Sequence, residues 1–415
     1  MNYSKRKLKI NKEISSFLRR LHLKIGGNVV NQRRSEGFLT RSRRTILISI
    51  LLCILTIGSF VSRPIYQKPK EKINGNRYFT IVFTVTYENN NSHGEPWQFT
   101  AEDAEIGLFM NNSWQTVYLL NASYPLKGLE TDRDGNPIAF MSFSTPEIQP
   151  GETFTYEVAY KVALKPRSLP EISENNSGSL NEIPQDLRRL YCSNTGSWLV
   201  KDLNLRRLAF EVAKNQTNVL AVLEAFITWI WQNIKYGTID VPRYPNETLQ
   251  EHTGDCDDQA NLLITLCRIA GIPAYLQIGC IYIPTKHSSE LYWDDLWMSN
   301  LTRIGWHAWA MVYVPPWGWL PVDLTYAGGD GTNPLNAINR AAVMVFPTVQ
   351  YANVTVTDYV AAARIRRDFV VAKGYRLKTQ DVMTADTSGK EDALGSEGLR
   401  IRLLVLFRFA LRLSG

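Results

Sequence analysis

The stretch Gly254-Asp255-Cys256-Asp257-Asp258-Gln259-Ala260, running on to Gly271, constrains the fold more than any other. Asp255 is a good N-cap residue type, so a helix should start at Cys256. From Ala260 onward the chain is apolar on nearly every side: Leu262, Leu263, Ile264, Leu266, Ile269 and Ala270. A helix that is apolar all round is buried. Gly271 suits the position just past a helix end, and Pro273 cannot continue it. The chain must therefore build its core around a helix whose first turn carries a thiol. Helix N-termini offer free N–H groups and a partial positive charge. A thiol there should ionise below its free value of about 8.5, and the thiolate is the nucleophile. Taken alone, Cys256 favours the reading of a structural core cysteine, which is the commoner case.

Two later stretches change that balance. Trp306-His307-Ala308-Trp309-Ala310 starts an apolar strand, and Pro321-Val322-Asp323-Leu324-Thr325 sits in the next. Between them, Pro315-Pro316-Trp317-Gly318 is a turn signal. The midpoint of positions 307 and 323 is 315, inside that turn. A hairpin therefore brings His307 and Asp323 together, with the register left open. A cysteine on a helix start with His and Asp on paired strands is a nucleophile, base and orienter arrangement.

With these residues the chain resembles the transglutaminase-like superfamily, which includes transglutaminases, peptide N-glycanases and many microbial cysteine proteins. The resemblance rests on Gly254-Asp255-Cys256 and its helix, Gly305-Trp306-His307-Ala308-Trp309, and Gly318-Trp319-Leu320-Pro321-Val322-Asp323. Trp229-Ile230-Trp231-Gln232-Asn233-Ile234-Lys235-Tyr236 is similar to the aromatic helix end that precedes the Cys helix in that family. It covers roughly residues 205–346. The resemblance implies an α+β fold with a papain-like transglutaminase core, the Cys helix packed on an antiparallel sheet. It also implies acyl transfer on an amide by Cys256, His307 and Asp323, on a protein or peptide substrate, with no cofactor and no metal.

Charge is unevenly spread. Residues 1–44 hold thirteen Lys/Arg against Glu13 and Glu36, or +11, so a net +7 leaves −4 for the rest. The basic pI therefore describes one arm. Residues 45–62 follow, uncharged and just long enough for a span of about 20 residues. Charge bias puts the arm in the cytoplasm. The basic region is too long for a signal peptide, so an uncleaved single-pass anchor in the cell membrane is expected, with the catalytic domain outside. Positive-inside bias explains the arm more simply than nucleic acid does. Eight Asn-x-Ser/Thr acceptors follow the span, at Asn90, Asn111, Asn121, Asn175, Asn215, Asn246, Asn300 and Asn353. Their excess fits an exported surface.

Residues 78–87, 115–122, 137–144 and 153–164 read as strands, giving a β-sandwich over 77–165 before the core. Asp132-Arg133-Asp134-Gly135-Asn136 has its glycine misplaced for a calcium loop and reads as a hairpin turn. Residues 203–235 read as two helices broken near Asn215–Asn218, opening a core domain over 203–360. Residues 284–305 carry Tyr292, Trp293 and Trp297 and read either as a substrate lid or as a packed insertion. Residues 343–349 and 353–360 read as closing strands. Residues 378–415 read as a polar tail with a short apolar, basic end.

Of the five cysteines, Cys53 lies in the expected span, and Cys192, Cys267 and Cys280 cannot all pair with one another. Cys267 and Cys280 are expected as reduced, buried thiols. No C-x-x-C or H-E-x-x-H occurs, which argues against zinc. His252 and His287 are alternative bases without an acidic residue on an evident partner strand. Gln250 has the spacing of an oxyanion glutamine, and the Cys256 amide is a candidate oxyanion donor. The contrasting reading is a non-catalytic surface module that uses the same cleft for a peptide or glycan.

Overall fold

Alternation of β-branched and aromatic residues writes the first long strand of the fold. In Arg77–Glu88 (β1), Phe79, Ile81, Phe83, Val85 and Tyr87 are all buried, and the residues between them are not. The computed structural model of the chain describes residues 76–326 and 331–386. The other strands of the main sheet are Gln115–Ala122 (β2), Thr153–Leu164 (β3), Ala274–Tyr292 (β4), Trp297–Val314 (β5), Gly318–Val322 (β6), Thr348–Val354 (β7) and Arg376–Ala385 (β8). The helices that matter for the site are Leu203–Ala213 (α1), Val219–Asn233 (α2), Pro245–Glu251 (α3), Cys256–Ile269 (α4), Ala342–Val345 (α5) and Tyr359–Lys373 (α6).

The eight strands form one sheet in the order β7-β4-β5-β8-β1-β3-β2, with β6 also on β5. Every pairing in it is antiparallel except that of β5 with β8. The outer edge of β5 is shared between two strands. Residues 297–302 pair with β8 and residues 310–314 pair with β6. Between them, residues 303–309 pair with β4 alone up to Gly305 and on through His307, opposite Gly279. This gap leaves backbone groups of β5 free beside His307, and α4 packs against that strand.

Helix α4 behaves as its composition demands. Every residue from Cys256 to Arg268 is buried. Asp255 takes the N-cap position, though its side chain makes no capping bond to the first turn. Gly271 has φ +80°, the left-handed conformation that ends such a helix. Gly254 admits close packing: a Cβ there would lie 2.7 Å from Asp258 Cβ.

Several expectations need correction. The strands of residues 77–165 are present, but they do not make a separate sandwich. β1 and β3 join the sheet that carries His307, because β8 fills the place between β1 and β5. The aromatic core is equally continuous: Phe83 lies 5.6 Å from Trp306, next to the candidate base. Only Glu105–Gly107, Leu126–Thr131 and Pro137–Met141 form a separate three-stranded sheet.

The polar tail begins later than expected. Residues 376–385 are strand β8, with Leu377, Thr379, Asp381 and Met383 buried in alternation. Residues 353–360 end a strand and begin α6; they are not a closing strand of their own. The lid reading of residues 284–305 also falls. Strands β4 and β5 run on into a long hairpin, and Trp293 and Trp297 are fully buried at its tip. A tilted contact between the two indoles, with centroids 4.7 Å apart, and a Trp297 Nε1–Thr379 Oγ1 bond of 3.3 Å hold that tip as a packed insertion.

The turn reading of residues 132–136 fits the structure. Asp132 Oδ1 accepts from the Asp134 and Asn136 amides, and Asp134 Oδ1 accepts from the Thr355 and Val356 amides. The break between α1 and α2 falls at residues 214–218. The basic arm 1–44, the expected span 45–62 and the end of the tail lie outside the described residues. Among the described residues no helix is long and apolar enough to cross a membrane.

Candidate active site

The hairpin of β5 and β6 places the candidate base and its orienter. Its register pairs Ala310 with Val322, which sets Asp323 just past the strand end and beside His307. His307 Nε2 lies 2.8 Å from Asp323 Oδ2, and both side chains are 1 % exposed. Asp323 is held on both oxygens. Oδ1 accepts from the Thr325 and Tyr326 amides, and Oδ2 also accepts from the Ala342 amide at the start of α5. Burial alone would raise the Asp323 carboxyl, but His307 and these amides hold it below the usual range. Trp309 and Tyr326 flank the imidazole, with centroids at 5.8 and 5.5 Å.

With Nε2 committed to Asp323, Nδ1 is the nitrogen left for a thiol proton. His307 Nδ1 is buried and has no hydrogen-bond partner. Cys256 opens α4 on the neighbouring side. Its thiol faces the backbone of Ala308, the residue after His307, which favours the thiolate. The thiol and the imidazole are thus on adjacent elements, without a hydrogen bond between them in this structure. Catalytic contacts of this kind are often long before substrate binds.

The expected low thiol pKa is not what the site provides. Burial pushes Cys256 well above its usual value, and Asp255 and Asp257 add to the effect; the Ala308 amide only partly opposes them. A helix terminus contributes about half a charge, which desolvation of the thiolate, with the two acidic neighbours adding to it, outweighs. The acidic groups are themselves strained by proximity. Asp255, Asp257 and Asp258 carry carboxylate oxygens within 4.8 Å of one another, all buried. Burial raises all three, and mutual repulsion raises Asp255 and Asp258 further. Tyr359 Oη donates to Asp257 Oδ2 at 2.9 Å, and the Arg243 amide donates to Asp258 Oδ1 at 2.8 Å. This set is the one group of described residues with the donor chemistry for a cation.

The alternative bases stand elsewhere. His252 is an exposed residue in the left-handed conformation at the end of α3, its Nδ1 3.2 Å from the Asn233 carbonyl. His287 is exposed on the long hairpin. Gln250 is exposed on α3, a helix that the sequence reading did not anticipate. Cys192, Cys267 and Cys280 are not joined by disulfides, and the last two are buried. Sequence reasoning named Tyr236 only as the end of an aromatic helix stretch and gave it no role at the site. Tyr236 pairs in parallel with Gly254, two residues before Cys256, and is 44 % exposed at the cleft. Sequence reasoning missed the Ala342 amide, which no side-chain pattern announces.

Residues 206–324 match the family described as the transglutaminase-like superfamily. No curated protein matches the chain. Among solved structures, a candidate cysteine protease from Cytophaga hutchinsonii is similar at 17 % identity and TM-score 0.44, over 75 % of this chain and 90 % of that one. The periplasmic domain of TgpA from Pseudomonas aeruginosa is similar at 16 % identity and TM-score 0.28, over 64 % of this chain and 91 % of that one. At such values the likeness bears on neither activity nor substrate. The motif set and the hairpin that joins His307 to Asp323 lie within residues 206–324, the segment that matches the transglutaminase-like superfamily.

Proposed function

We propose that this protein is a membrane-anchored cysteine enzyme acting on amide bonds of extracellular proteins or peptides. Cys256 Sγ attacks the amide carbonyl carbon. His307 Nδ1 takes the thiol proton and returns it to the departing amine nitrogen. The resulting thioester passes its acyl group to water or to a second amine, and the thiol regains its proton. Asp323 holds His307 in the tautomer with its proton on Nε2.

The observation that carries this reading is the buried His307–Asp323 pair, with its second ring nitrogen unpartnered, beside the helix that starts at Cys256. A buried imidazole lacking one hydrogen bond is costly unless something uses it. For the outward-facing placement, the basic arm gives the argument, and exposure of the acceptors Asn90, Asn111, Asn121, Asn175 and Asn215 supports it. Incubating the full chain with an amide-substrate library, in the presence and absence of an added primary amine, tests the reading. Turnover by the wild type and none by Cys256→Ala is expected; equal product from both would defeat it.

One observation favours a second reading, a non-catalytic cleft that binds a peptide or glycan. The thiol is buried and held neutral. A wild type that binds peptide or glycan without turnover, with Cys256→Ala binding equally well, would make that reading the better one.

A further inference from the structure

A cavity of about 210 Å³ lies between the start of β1, the end of β3 and the segment that leads into β7. One side is basic, with Arg77, Lys165 and Arg167, and the other is formed by Met344, Phe346 and Pro347 among others. None of the described residues that line it is acidic. The sheet register builds the basic side: Arg77 pairs with Leu164, which places Lys165 one residue beyond it. The Lys165 amide then donates to the Trp114 carbonyl at 2.8 Å, fixing the chain as it leaves β3.

Arg167 is held by neutral groups. Its Nη2 donates to Gln350 Oε1 at 3.2 Å, and its guanidinium lies 5.9 Å from the Trp114 ring centroid. Gln350 is itself fixed, its amide donating to Gln115 Oε1 at 2.8 Å. Among the described residues no carboxylate pairs with Arg77, Lys165 or Arg167. Burial draws the Arg167 pKa down to about 10, which measures how far the cation has been taken out of water. Desolvating a cation without a counter-charge is unfavourable. Arg77 and Lys165, exposed at the rim, add two further positive charges beside Arg167. An anion in the cavity removes the cost of that desolvation, and a guanidinium fork suits a tetrahedral oxyanion. The volume is below the range of about 300–1,000 Å³ for whole drug-sized ligands, so the cavity takes a single group.

We propose that this cavity is a phosphate-binding site, in which Arg167 and Lys165 hold the oxygens and Arg77 adds charge at the rim. The phosphate is either free or the headgroup of an anionic lipid, and one experiment separates the two. Equilibrium dialysis of the full chain against labelled inorganic phosphate, at constant ionic strength, should show saturable binding to one site. Arg167→Gln should weaken it at least tenfold. The double change Arg77→Gln with Lys165→Gln, at exposed positions that leave the fold intact, should weaken it as much. Arg207→Gln, on an exposed face of α1, should leave it unchanged. Flotation with phosphatidylglycerol vesicles identifies the source: recruitment lost in the double variant assigns a lipid headgroup, and phosphate binding without that recruitment assigns free phosphate. Absence of saturable phosphate binding and of variant-sensitive recruitment would overturn the proposal, as would binding that survives the double change.

Discussion

Asp323 receives four hydrogen bonds, and the one from His307 is the shortest at 2.8 Å. Each donor expects an acceptor. Asp323→Asn puts an NH₂ group where one oxygen accepts two N–H bonds, or forces the other oxygen to give up its own two. We expect this variant to lose about 1–3 kcal/mol of stability, the cost of buried groups left unsatisfied. Amide turnover should fall by about 10⁴ if His307 takes the wrong tautomer, by analogy with serine proteases. Urea unfolding and single-turnover assays check the two parts separately. A variant of wild-type stability and activity would show that the pair is not used.

The same carboxylate gives a pH signature. The folded-state pKa of Asp323 is lowered, so its stabilisation is complete above the unfolded value of about 3.9. It is lost as the pH falls through the folded value. Wild-type unfolding midpoints should therefore drop in acid below about pH 4, and Asp323→Asn should lack that part of the drop. Parallel curves for the two proteins would contradict the assignment.

The acidic cluster acts in the opposite direction. Asp255 and Asp258 have raised folded-state values, so the folded chain keeps protons that the unfolded chain has lost. Their contribution is most favourable below about pH 3.9 and is lost as the pH rises toward the folded values. Asp258→Asn keeps an oxygen for the Arg243 amide and removes the charge. We expect it to be stabilising at neutral pH and to flatten the loss of stability above pH 4. Thermal midpoints measured between pH 4 and 8 in one buffer series decide the sign.

Thiol chemistry should follow burial rather than helix position. We expect Cys256 to react slowly with iodoacetamide at pH 7 in the absence of substrate, with a rate that climbs at alkaline pH. Cys192 is only half-buried, although its thiol is pushed up to about 11 by desolvation, and it should label before Cys267 or Cys280. Asp255→Asn removes the largest charge opposing the Cys256 thiolate and should move its labelling profile to lower pH. Adduct mapping by mass spectrometry across pH would expose an error if Cys256 labels fastest at neutrality.

Gly279 faces His307 across β4 and β5 and leaves no room for a side chain. A Cβ would lie 2.5 Å from the Val349 carbonyl oxygen and 2.9 Å from the Trp309 ring. Gly279→Ala should cost about 1–3 kcal/mol by overpacking and lower turnover by moving the strand that carries His307. Chemical denaturation checks the first effect; an unchanged midpoint would mean that β7 can move aside freely.

The site was more legible in the sequence than its supports. Cys256 announced itself through Asp255, the apolar run and Gly271, which are local signals. His307 and Asp323 could be joined because the Pro-Pro-Trp-Gly turn sits midway between them. Strand β8 was hidden because its buried positions include Thr379 and Asp381. These are polar in sequence and become core only by meeting the Trp297 and Trp306 indoles. Helix α6 did carry signals that went unread. Asp358 caps it through the Ala361 amide, and Gly374 ends it at φ +65°. The tryptophans at residues 293 and 297 misled in the other direction: aromatic residues beside aspartates look like a loop until the two strands are seen to continue.

Where β1 and β8 meet, the described chain enters and leaves at one place. Phe79 faces Ala385 across an antiparallel pair, and the Asp386 amide bonds to the Tyr78 carbonyl. Tension applied between these two ends loads that ladder one rung at a time, like a zip opened from its top, because antiparallel bonds lie across the strands. The first rungs to open belong to β1 and β8, and β8 is also the strand that lies along β5 at residues 297–302. A pull on the ends would therefore peel away the support of the His307 strand before it reached the helix of Cys256. Stretching would act on this protein first as a brake on its site, ahead of any unravelling of its core.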